Sequence, residues 1–330
     1  MIKTKIAGVG YYVPEQVITN QDLEQQMDTS NEWIVSRSGI EERRWVRDGI
    51  CTSDLAFEAS KKAMKAAKVS SEDIDLVIVG TITSDYFFPG VSAQLQDRLD
   101  LHHIGAFDVK AACSAFIYAL SIGDQFIRTG VCSTILIVGA EVQSKFLNIS
   151  TEGRDMTVLF GDGSGAAILQ KSDDESGILS THLHCQGANI KDLWMEAPGS
   201  AENCQMTNIK LEEGRHFPLM NGREVFRNAI VRFPEVIQES LDASGLTLDD
   251  VNLIIPHQAN LRISQAVAKR LGVGMDKVFS NIHKYGNTTA ASIPIALCEA
   301  VEEKKISKGD VVVLASFGAG FTWASAAIRW

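Results

Sequence analysis

Two stretches of this chain repeat each other at a fixed distance. AAKVSSEDIDLVI (Ala66 to Ile78) and ASGLTLDDVNLII (Ala243 to Ile255) share one progression, offset by 177 positions: helix tail, short turn, acidic pair, apolar run. GVCSTILIVGA from Gly130 resembles KGDVVVLASFGA from Lys308, and GDGSGAAILQ from Gly161 resembles GAGFTWASAAI from Gly318. Matching punctuation at a long period marks an internal repeat. A length of 330 residues suits one large domain or two fused halves. The polar run KSDDESG (Lys171 to Gly177) is the natural seam, which gives halves of residues 1–172 and 173–330.

Within each half, apolar runs alternate with helical stretches. Leu76–Gly80, Ile104–Val109, Ile135–Gly139 and Ala166–Leu169 read as strands, answered by Leu253–Pro256 and Val311–Ala315. After Cys113 the pattern turns helical, with Phe116, Leu120 and Ile127 on one apolar face. Apolar, β-branched strands between helices predict an α/β fold whose sheets are buried on both faces and mostly parallel.

Composition narrows the function. With 45% hydrophobic and 22% charged residues, the chain is ordinary globular protein. A net charge of −10 argues against general nucleic-acid binding. No apolar stretch approaches the roughly 20 residues a membrane helix needs. The N-terminus MIKTKIAGVGYYVPEQ lacks an export signal, and the six cysteines form no CxxC pair, so reduced thiols in a cytoplasmic protein are expected.

Three residues stand in distinctive settings: Cys113 in AACSAF, His257 in IPHQAN and Asn287 in KYGNTTAAS. All three fall near carboxyl ends of strands, where open α/β sheets place their ligands. A pseudo-two-fold axis would set Cys113 of one half against His257 and Asn287 of the other. A cysteine flanked by alanines is commonly a small buried apolar residue. At a helix start, however, unpaired N–H groups and the helix dipole would stabilise a thiolate and lower its pKa. His257, as a neutral imidazole, and Asn287 can each donate a hydrogen bond to an oxygen that gains negative charge when a malonyl thioester loses carbon dioxide. The blander readings are a satisfied core histidine and an ordinary Gly-Asn turn. FGAGFTW (Phe317 to Trp323) brings glycine-rich backbone near a strand end; its amides, with that of Cys113, could form a second oxyanion hole. GDGSGA (Gly161 to Ala166) precedes a strand rather than opening a helix, so it is no phosphate-binding loop. No metal-ligand spacing occurs, and His182 and His184 read as alternating on one strand face.

TSNEWIVSRSGIEER (Thr29 to Arg43), AACSAF, FGDGSGAA, HQANLRI, YGNTTAASIP and FGAGFTW together resemble, in order, segments of the thiolase-like condensing enzymes, most closely the 3-oxoacyl-(acyl-carrier-protein) synthase III family. The resemblance implies two similar α/β halves in a five-layered αβαβα fold, normally dimeric. It implies decarboxylating condensation of an acyl-coenzyme A primer with malonyl-carrier protein, without a resident cofactor. Cys113 would be the acyl acceptor, His257 and Asn287 the decarboxylation pair, and the amides of Cys113 and Ala319 the oxyanion hole. Thr29, Trp33, Arg37, Arg154 and Asn260 match coenzyme A contacts, with Trp33 and Arg37 at the adenine. Phe88 and Phe160 match acyl-pocket positions, Phe88 reaching across the dimer. Arg227, Arg262, Lys269 and Arg270 match the docking surface for the acidic carrier protein.

Three positions depart from the family pattern: Ala115 and Ala319 where glycine is common, and Arg227 for lysine. Rival families fit less well. A degradative thiolase needs a second cysteine near Gly318–Gly320, and an elongating ketosynthase places histidine where Asn287 stands. Hydroxymethylglutaryl-coenzyme A synthase needs glutamate after Leu76–Gly80, where this chain has Thr81-Ile82-Thr83. A papain-like hydrolase would lack the duplication. A secondary-metabolite relative with another primer, extender or acceptor, and a non-catalytic scaffold, stay open at this stage.

Overall fold

The computed structural model describes residues 2–201 and 207–330. The repeat is visible in the bounds of its elements. Strand Leu76–Gly80 returns as Leu253–Pro256, strand Thr134–Glu141 as Val311–Gly318, and helix Ala115–Arg128 begins 177 positions before helix Ser292–Glu302.

The first half carries a five-stranded sheet in the order Thr4–Tyr12, Gly163–Lys171, Thr134–Glu141, Leu76–Gly80, Gly105–Val109. The second carries a four-stranded sheet in the order Leu253–Pro256, Val311–Gly318, Thr322–Arg329, Gly177–Cys185. Strand direction corrects the expectation of mostly parallel sheets. Leu76–Gly80 runs parallel to both its neighbours and Leu253–Pro256 to its one, but the remaining pairings are antiparallel. Apolar residues on both faces of a strand report helices above and below it, not the direction of its neighbours.

Those helices make the five layers. Leu76 and Ile78 face a central layer of helices Ala115–Arg128 and Ser292–Glu302, which Leu253, Ile255, Val312 and Leu314 meet from the other sheet. The alternate residues Val77 and Val79 face outward onto helices Thr52–Ala67 and Val91–Arg98. Ile254 and Val313 likewise face helices Gly222–Ser244 and Leu261–Leu271. Side chains such as Ile137 and Leu314, with no exposed surface, each contribute roughly 2 kcal/mol of burial free energy. The αβαβα arrangement is therefore the one expected. Among the described residues, no helix is long and apolar enough to cross a membrane.

Candidate active site

The site is built on two backbone elbows that are copies of each other. After strand Gly105–Val109 the chain makes a short 3-10 turn, Ala112–Ser114, and then enters helix Ala115–Arg128. In the second half the turn Thr289–Ala291 leads into helix Ser292–Glu302 in the same way. Ala112 (φ 45°) and Thr289 (φ 50°) both hold left-handed backbone and occupy equivalent places in the repeat. For residues with a β-carbon this conformation costs about 1–3 kcal/mol and persists only where packing enforces it. Cys113 follows one elbow; its true counterpart is Ala290, with Asn287 three residues earlier on the approach to the other.

Cys113 is buried, and Gly318 lies directly against it. The N–H groups of Cys113 and Ala319 both donate toward the sulfur, so the two amides expected at an oxyanion hole do converge. The expected fall in thiol pKa does not follow. Burial pushes Cys113 up to about 12, and the charge of Glu141 adds to the rise, while the two N–H groups pull down without offsetting it. Glu141 is itself wholly buried, pushed up to about 8 by desolvation, and accepts from Thr83 Oγ1 at 2.6 Å and from the N–H groups of Ile82 and Ala290. It thereby ties the strand ends of the first half to the elbow of the second.

His257 continues the ladder of strand Leu253–Pro256, its N–H donating to the Ala315 carbonyl at 2.8 Å. Its neighbour Gln258 is locked by Pro256, Ser280 and Asn281. The ring Nδ1 meets Ser292 Oγ at 2.5 Å, and Nε2 is buried with no partner among the described residues. Burial lowers the imidazole to about 3, which keeps it neutral as expected. Asn287 is fixed through Leu159 and Gly161 on its backbone. Its Oδ1 accepts the Thr289 N–H at 2.9 Å, so Nδ2 remains as a donor without a protein partner among the described residues.

Cys113, His257 and Asn287 line one cavity of about 540 Å³, together with Phe160, Phe233 and Phe317. Trp33, Arg37, Asn260 and Arg262 line it as well. Trp33 sits there because Ser30 caps helix Asn31–Ser38, its Oγ accepting the Trp33 N–H. Arg37 and Arg154 both lie over the indole, at 4.6 Å and 5.0 Å from the ring centre. Asn260 caps helix Leu261–Leu271 and donates to the Arg37 carbonyl. Thr29 is not among the lining residues; its hydroxyl is buried without a partner among the described residues.

The remaining expected residues are more dispersed. Lys269 stands about 10 Å along the helix from Arg262, on the same face. Arg227 is exposed and pairs with Glu224, and Arg270 donates to the Ile230 carbonyl beside a separate hollow lined by His182 and Glu239. His182 and His184 do share a strand face, both contacting Glu239. Phe88 projects from the surface, 80% exposed, next to Phe87 at 84%. Sequence reasoning missed Glu141, Ser292 and Arg223; the last is an exposed guanidinium that also lines the cavity. Only the repeat, laid residue on residue, could have pointed to Ser292.

Residues 107–187 match the 3-oxoacyl-(acyl-carrier-protein) synthase III family and residues 241–330 match its C-terminal part. A beta-ketoacyl-(acyl-carrier-protein) synthase III from Xanthomonas campestris pv. campestris is 47% identical over 329 residues, covering 100% of this chain and 99% of its own. Among solved structures, the 3-oxoacyl-(acyl-carrier-protein) synthase III of Aquifex aeolicus is similar at 42% identity and a TM-score of 0.91, over 99% of this chain and 100% of its own. The corresponding synthase III of Thermus thermophilus gives 41% and 0.92, over 99% of each chain. With that resemblance carried across its whole length, this chain belongs to the 3-oxoacyl-(acyl-carrier-protein) synthase III family of condensing acyltransferases.

Proposed function

We propose that this protein initiates fatty-acid synthesis by condensing an acyl-coenzyme A primer with malonyl-carrier protein, through an acyl group held on Cys113. The observation that carries this reading is one cavity lined by Cys113, His257 and Asn287, in which His257 Nε2 and Asn287 Nδ2 have no protein partner among the described residues.

In the first half-reaction the Cys113 sulfur attacks the acyl thioester carbon. The oxygen of the tetrahedral intermediate faces the N–H groups of Cys113 and Ala319. Coenzyme A leaves as a thiol, taking up the proton that Cys113 gives up. In the second, malonyl-carrier protein enters and its C–CO₂ bond breaks. The electron pair moves toward the thioester oxygen, where His257 and Asn287 donate. The carbon then attacks the Cys113 thioester, and 3-oxoacyl-carrier protein forms. The sulfur is expelled and regains a proton, consistent with a thiol whose buried setting favours the neutral form.

Trp33 flanked by Arg37 and Arg154 supports stacking of the coenzyme A adenine. Asn260 would contact the coenzyme's arm and Thr29 lies near that end. Phe160 would border the acyl chain. Arg262 at the cavity and Lys269 on the same helix face would meet the acidic carrier protein, with Arg227 at their flank. The protein would act as a homodimer: among the described residues Gly105–Val109 ends its sheet with an unpaired edge, and Phe87 and Phe88 are large apolar groups left in solvent. Phe88 would then close the partner's acyl pocket. Coenzyme A thioesters are substrates here, and no resident cofactor enters the scheme.

The direct test supplies an acyl-coenzyme A with malonyl-carrier protein or malonyl-coenzyme A. Equimolar 3-oxoacyl-carrier protein and carbon dioxide are expected with the first extender. Acyl transfer without carbon dioxide release contradicts the proposal.

A further inference from the structure

The repeat singles out a second pair of residues. His257 is equivalent to Gly80, and Ser292 to Ala115, at the same offset of 177. In the first half these positions only pack: a β-carbon on Gly80 would stand 2.8 Å from the Ala115 Cβ. In the second half the same two positions carry an imidazole and a hydroxyl, 2.5 Å apart. Two apolar neighbours in one copy are thus a polar couple in the other, and its imidazole member, His257, lines the cavity.

We propose that Ser292 is a positioning residue that holds His257 in its Nε2–H tautomer, so that the ring presents a proton to the cavity. The hydrogen bonds lead there. Ser292 Oγ accepts from the Gln258 N–H at 3.4 Å, and its own proton has no carbonyl or carboxylate acceptor among the described residues other than the ring. If Nδ1 accepts that proton, every polar group of the couple is paired except the buried Nε2–H, and His257 lines the cavity. If Nδ1 carried the proton instead, a buried hydroxyl hydrogen would lack an acceptor. Nε2 would then turn a lone pair toward an oxygen gaining negative charge. Ser292 also opens helix Ser292–Glu302, whose positive end opposes a cation at the ring.

The catalytic consequence rests on the reading of His257 as an enolate donor; the tautomer itself rests on geometry alone. The test is ¹⁵N NMR of the full-length protein labelled at histidine, without substrate, alongside the rate of malonyl decarboxylation. Ser292→Ala should fold, because Ala115 already fills the equivalent place. Wild type is expected to show His257 as Nε2–H. In Ser292→Ala the ring should populate both tautomers and decarboxylation should fall by about tenfold or more. Ser292→Thr, which restores a hydroxyl, should recover the wild-type ring signals. An Nδ1–H ring in wild type, or an unchanged ring and rate in Ser292→Ala, overturns the assignment. Because the tautomer is read without substrate, it decides the role of Ser292 even if His257→Ala shows decarboxylation to be independent of the ring.

Discussion

Gly318 presses against Cys113: a β-carbon there would stand 2.6 Å from the Cys113 Cβ and 2.9 Å from Sγ. Gly318 ends strand Val311–Gly318 in the second half, whereas Cys113 belongs to the first. The thiol is therefore placed by the closure of one repeat upon the other. Gly318→Ala should push the elbow at Ala112 and Cys113 away from the Ala319 amide. We expect Cys113 acylation by acyl-coenzyme A to slow about a hundredfold, followed by intact-protein mass. A rate within twofold of wild type would show that the contact has no part in placing the sulfur.

The buried thiol has a pH signature. Raised to about 12, Cys113 is almost wholly protonated at neutral pH. Alkylation by a small neutral reagent should climb about tenfold per pH unit between pH 7 and 10, whereas an ordinary cysteine levels off near its pKa of about 8.5. Above about pH 8, where Glu141 is itself ionised, Glu141→Gln removes a neighbouring negative charge and should move the curve to lower pH. A plateau below pH 8 in wild type would mean that the helix-start donors outweigh burial after all.

The exposed aromatics predict assembly. Phe87 and Phe88 are exposed, and just after them the N–H groups of Val91 and Ser92 donate to Asp108 on strand Gly105–Val109, the outer strand of its sheet among the described residues. A two-fold pairing would cover both features at once. Replacing Phe87 and Phe88 together by Asp should convert a dimer at micromolar concentration to monomer, read by light scattering after size exclusion. A wild-type protein that elutes as monomer removes the basis for Phe88 acting in a partner's site.

Much of this was legible before any coordinates, and for definite reasons. Repetition announced two halves, and strands such as Leu76–Gly80 and Leu253–Pro256 are apolar on both faces because helices cover both. Their direction was not legible, since burial says nothing about a neighbour's polarity. The first strand, Thr4–Tyr12, also escaped notice. It carries Gly8 and Gly10, where a β-carbon would stand 2.4 Å from the backbone nitrogens of Ala67 and Ala63 in helix Thr52–Ala67. Close packing of that helix demands residues that weaken a strand signal. Cys113, His257 and Asn287, which line one cavity, stood out by their settings. The thiol's pKa was not, because a helix start and full burial oppose each other and sequence displays only the first. Glu141 and Ser292 bond to partners distant in the chain, which single motifs do not expose.

The division of labour within the site is tested most directly by loading Cys113 from acyl-coenzyme A, then adding malonyl-carrier protein and following both the adduct mass and released carbon dioxide. Wild type should lose its adduct with one carbon dioxide per acyl group. Asn287→Ala and His257→Ala should load Cys113 but release carbon dioxide at least about a hundredfold more slowly. Variants that lose loading and decarboxylation to the same degree, or release carbon dioxide at the wild-type rate, would contradict the account.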